Sequence, residues 1–79
     1  MDEERNLGEQ PLARLLTERG LRSHDLVDAS TEQLTHKMVT RAAKGRRLTA
    51  NTMGKVVRAF NTAAGTELAA GELFDYEPA

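Results

Sequence analysis

Gly20, Gly45 and Gly65 each follow a short stretch whose apolar residues recur at three- and four-residue spacing, and this punctuation limits what the chain can fold into. A glycine just past such a stretch supplies the left-handed conformation that ends a helix. Pro11 suits a first helical position and Leu12, Leu15 and Leu16 share one face, so a first helix is predicted over 11–19. Ser23 is the expected N-cap of a short second helix, with Leu26, Val27 and Ala29 turned inward. That helix fades near Ser30, and Ser30 to Gln33 reads as a polar turn. Thr35 caps a third helix that ends at Gly45, with Leu34 and Val39 placed as a hydrophobic staple across its start. Thr49 caps a fourth, running to about Ala63, whose inward stripe is Met53, Val56, Val57 and Phe60. Gly54 inside it is expected to mark a close contact with another backbone, and Thr66 to open a last short helix.

No segment alternates as a strand does. Ile is absent, Val is sparse, and Phe60, Phe74 and Tyr76 are the aromatic residues of the 79, which favours helices packed through small contacts. The expected fold is all-α, a compact bundle of about five helices in one domain. Residues 1–9 read as a flexible acidic tail, 10–76 as the domain and 77–79 as a C-terminal tail. With no Cys, disulfides and thiolate metal sites are excluded, and His24 and His36 alone do not make a metal site, so no cofactor is expected. The first residues are acidic and polar and no long apolar run occurs, which argues against a secretory leader or a membrane span. The expected location is the cytoplasm.

The formal net charge is −1, yet Lys37, Arg41, Lys44, Arg46, Arg47, Lys55 and Arg58 lie in an interval that holds no Asp or Glu. Acids are confined to Glu32 and earlier or Glu67 and later. Helical spacing therefore offers these cations no carboxylate partner, and an external anion is the expected counter-charge. Laid around a helix at about 100° per residue, His36, Lys37, Thr40, Arg41 and Lys44 fall within an arc of about 140°, opposite Met38, Val39, Ala42 and Ala43. One face is apolar, with small residues at Ala42 and Ala43; the other is cationic and carries long side chains.

The order of these signals resembles the lambda repressor-like helix-turn-helix domains of the Cro and repressor type. The likeness spans about Leu12 to Phe74. It is carried by "GLRSHDLVDAS", by "LTHKMVTRAAKGRRLTANTMGKVVRAFN" and by "ELF", with Leu26, the Leu34–Thr35 pair, Val39, Arg41 and the closing "KGRR" as its best parts. In that family the third helix lies in the major groove of double-stranded DNA. The resemblance implies that His36, Lys37, Thr40 and Arg41 face bases or groove walls and that Thr35 and Lys44 approach phosphates. It also implies that Arg46 and Arg47 lie along the backbone and that Ser23 makes a phosphate contact at the start of the second helix. The turn before the third helix is longer than the family's usual one and lacks its customary Gly.

The implied function is sequence-specific DNA binding by a small transcriptional regulator. A homodimer through the C-terminal segment is also implied, since Leu68, Leu73, Phe74 and Tyr76 offer more apolar surface than a short helix needs. No nucleophile has a base partner at meaningful spacing and no phosphate loop follows a strand, so neither an enzyme nor a small-molecule substrate is expected. Two rivals share the fold: a protein-interaction adaptor or antitoxin, and an RNA binder. Acids on the outward face of the third helix would favour the adaptor, and there are none.

Overall fold

The computed structural model describes residues 7–78, which form an all-helical unit. Its elements are α1 (Pro11–Glu18), α2 (Ser23–Ala29), α3 (His36–Lys44), α4 (Ala50–Ala64) and α5 (Ala70–Leu73). Most of the expected tail, residues 1–6, lies outside the described residues, as does Ala79. None of the described helices is long and apolar enough to cross a membrane.

Local chemistry sets the boundaries. Pro11 opens α1, and Gly20, Gly45 and Gly65 follow α1, α3 and α4 with φ of 66°, 94° and 70°. The Thr35 and Thr49 hydroxyls accept the amides of Met38 and Thr52, as an N-cap side chain does. Two starts differ from expectation. Ser23 is the first residue of α2 and not its cap, because the Asp25 carboxylate reaches back to accept the Arg22 amide at 2.8 Å. The last helix begins at Ala70 and not near Thr66, because Asn61 captures the preceding segment. Its Oδ1 accepts the Thr66 hydroxyl and the Leu68 amide while its Nδ2 donates to the Leu68 carbonyl.

The longest helix, α4, touches α2, α3 and α5, and α1 closes the bundle against α3 and α5. Leu12, Leu26, Val56, Phe60 and Leu73 are wholly or almost wholly buried at its centre, and Leu34, Leu48 and Phe74 enter from the connections. Each such side chain contributes about 1.5–3 kcal/mol by leaving water. Of the expected stripe on α4, Val57 is only half-buried and Ala59 is fully inside.

Leu7 is already tied to the bundle, ahead of the boundary expected at residue 10. The Leu7 amide donates to the Gly45 carbonyl at 2.8 Å and the Gln10 amide to the Ala43 carbonyl at 3.2 Å. Gln10, only 1% exposed, uses its side chain as a tie: Nε2 donates to the Gly8 carbonyl and Oε1 accepts the Asp75 amide at 2.8 Å. Both ends of the described chain therefore meet at the C-terminal end of α3. The close backbone approach expected at Gly54 occurs at Gly45 instead. A Cβ at Gly54 would meet only the Arg58 guanidinium, with Nη1 at 3.0 Å, whereas a Cβ at Gly45 would overlap the Gly8 carbonyl.

Candidate nucleic-acid interface

The two faces expected of α3 are the two faces observed. Val39 and Ala42 are buried and Met38 and Ala43 half-buried, while His36, Lys37, Thr40, Arg41 and Lys44 are exposed. Small residues on the inner face set the helix close against its neighbours, so its outer side chains stand free of the core. His36, Lys37, Thr40, Arg41, Lys44 and Arg46 line one open groove that contains no carboxylate. Arg47 follows on the exposed loop, and Thr35 caps the helix at the other end. Ser23, from the start of α2, is half-buried and does not line this groove.

Most of the carbonyls at the C-terminal end of α3 are paired. The Arg41 and Ala42 carbonyls accept the amides of Arg46 and Gly45, and those of Ala43 and Gly45 accept Gln10 and Leu7. Arg41 and Lys44 also sit where the helix dipole favours cations, a contribution of about 0.3–1 kcal/mol each. Beyond α3 the backbone of the basic loop is held from outside. The Tyr76 hydroxyl donates to the Arg46 carbonyl and accepts the Leu48 amide, both at 3.1 Å. A phenol keeps its proton at neutral pH, and burial pushes that of Tyr76 further up.

Arg58 departs from the expectation that the central cations lack acids. Its guanidinium makes a two-pronged pair with Glu32, Nε to Oε2 at 2.7 Å and Nη2 to Oε1 at 2.8 Å, and Lys55 adds its field to the same carboxylate. The acid comes from the turn between α2 and α3, 26 residues away, so helical spacing could not disclose it. Gly54, one turn before Arg58, leaves room for the guanidinium. Arg14 also pairs with Glu18, and His24 lies 3.5 Å from Asp25, neither contact drawing on the groove. Lys37, Arg41, Lys44 and Arg46 share the groove, and Arg47 is exposed on the loop that follows α3.

The Glu32–Arg58 pair ties the long turn before α3 to α4, and its pH dependence follows from sign. The Arg58 hydrogen bonds hold the Glu32 carboxyl below the usual carboxylate range. Its stabilisation is therefore complete above that range and is lost as pH falls through the lower folded-state value. Glu32→Gln is expected to unfold at lower urea than the wild type at pH 7, by a modest margin because the pair is exposed. The two midpoints should converge in acid. Equal midpoints at pH 7 would show that the pair does not secure the turn.

Among the described residues no three His, Asp or Glu side chains gather as a metal site. Compared with known proteins, the chain matches no family model, no curated protein and no solved structure.

Proposed function

We propose that this protein binds double-stranded DNA sequence-specifically as a small transcriptional regulator, laying α3 in the major groove. The observation that supports this best is the carboxylate-free cationic groove on the outer face of α3, continued by Arg46 and Arg47. Helix-dipole stabilisation accounts for two of these cations at most and gives no reason to gather five. A regular array of phosphates does, since it neutralises them all at once. A major groove about 12 Å wide admits an α-helix, and His36, Lys37, Thr40, Arg41 and Lys44 are exposed on the outer face of α3.

In this reading Arg41, exposed on the outer face of α3, reads base edges, with guanine its preferred partner through two parallel hydrogen bonds. His36 and Thr40 face bases or groove walls, and Lys37, on the groove wall, neutralises a phosphate. Thr35, Lys44, Arg46 and Arg47 bind phosphates, with the Thr35 hydroxyl free to donate outward while its oxygen caps α3. Ser23 has weaker support as a phosphate contact, being outside the groove. Pairing through the C-terminal segment is weakened as well, because Leu73 and Phe74 are 0% and 2% exposed within a single chain, leaving Leu68 and Tyr76 only half-buried. One domain per site is the favoured stoichiometry.

Selection from random duplexes tests the reading directly. A recovered motif supports it, and a pool that never enriches favours a protein-binding adaptor. With that motif in hand, Arg41→Ala is expected to relax preference at one or two base positions at about 1–3 kcal/mol each, while Arg46→Ala and Arg47→Ala weaken all duplexes alike. An unchanged motif for Arg41→Ala with an altered one for Arg46→Ala would show that the reading face is assigned to the wrong residues.

A further inference from the structure

We infer that Tyr76 is a positioning residue for the phosphate-binding loop, holding Arg46 and Arg47 in register with α3 through its hydroxyl. This rests on the DNA-binding reading of the groove.

Three successive residues after α5 are each fixed by a different interaction. Phe74 is buried in the core. The Asp75 amide donates to the buried Gln10 side chain at 2.8 Å. The Tyr76 ring then packs edge-on against Phe74, with centroids 5.8 Å apart and planes at 71°. From that anchored position its hydroxyl spans the backbone on either side of Arg47, donating to the Arg46 carbonyl and accepting the Leu48 amide.

The residues it spans lie between α3 and α4 and belong to neither, so no helical ladder pairs these two backbone groups. Leu48 is buried as a side chain and Thr49 caps α4, which pins the far end of the loop. Gly45 and its contacts with the N-terminal segment pin the near end. Arg46 and Arg47 are exposed between two fixed points, and the Tyr76 hydroxyl supplies the hydrogen bonds that order the peptide between them. A preordered loop presents both cations without the entropy of arranging them on binding. The C-terminal segment thereby acts on DNA from behind, without touching it.

Tyr76→Phe keeps the ring and its contact with Phe74 and removes only the hydroxyl, so the fold survives. Hydrogen exchange at the Leu48 amide should quicken, since its acceptor is gone. Affinity for short labelled duplexes of unrelated sequence should fall about five- to tenfold for all of them. The slope of log affinity against log salt should lessen by about one, the equivalent of one phosphate contact. In an Arg46→Ala, Arg47→Ala background the same change should have no further effect on affinity, a silence that a general loss of stability would not produce. Faster Leu48 exchange with unaltered affinity and slope overturns the inference, and so does a further loss in the double-alanine background. Failure of the DNA reading itself looks different: the wild type then shows no salt-dependent duplex binding at all, and the inference falls with it.

Discussion

Gly45→Ala is expected to lower stability by about 3 kcal/mol, and Gly65→Ala by only about 1 kcal/mol, although both glycines end helices in the left-handed conformation. That conformation costs a residue with a Cβ about 1–2 kcal/mol, and at Gly65 nothing else stands within 4 Å of the new atom. At Gly45 the new Cβ would overlap the Gly8 carbonyl oxygen and come within 2.7 Å and 2.8 Å of the Gly8 carbon and nitrogen. The obstacle is backbone, so it yields only if the N-terminal segment lifts away. Lifting it breaks the Leu7–Gly45 and Gln10–Ala43 hydrogen bonds, at about 1 kcal/mol each. It also strains the Gln10 tie to Asp75. A domain of this size has about 5–15 kcal/mol in all, so the difference is readily resolved by urea titration. Equal losses for the two variants would mean that Gly8 does not approach Gly45.

The glycine comparison also marks the division between what could be read from the sequence and what could not. The left-handed ends at Gly20, Gly45 and Gly65, the Thr35 and Thr49 caps and the two faces of α3 all depend on residues within about four positions of each other, and spacing rules register them. The start of α2 fails within the same range, because Ser23 and Asp25 compete for the same end and the carboxylate two residues later prevails. Everything that orients the groove comes from afar. Gln10 meets Asp75 across 65 residues, Tyr76 meets Leu48 across 28, and Glu32 meets Arg58 across 26. Periodicity carries no information about such pairings, which is why spacing alone places Arg58 among the free cations and points to Gly54 for the close approach found at Gly45. The chemistry of the site was legible as composition and spacing; its bracing was not.

Removing Arg58 from the set of free cations changes the number expected of a salt titration. With Lys37, Lys44, Arg46 and Arg47 as the phosphate contacts, log affinity for duplex DNA should fall against log salt with a slope of roughly −3.6, at about −0.9 per contact. Between about 50 mM and 200 mM salt this is about a hundredfold loss of affinity, the largest effect expected of the protein. Arg46→Ala should bring the slope to roughly −2.7, whereas Arg58→Ala should leave it unchanged, since the guanidinium is already satisfied by Glu32. Arg41, directed at bases, contributes to specificity more than to slope. The same titration reports stoichiometry: two copies on one site would double the slope to roughly −7, and the burial of Leu73 and Phe74 within one chain argues for the smaller value. Affinity indifferent to salt would remove phosphate from the account of why these cations are gathered, and with it the case for DNA over a protein partner.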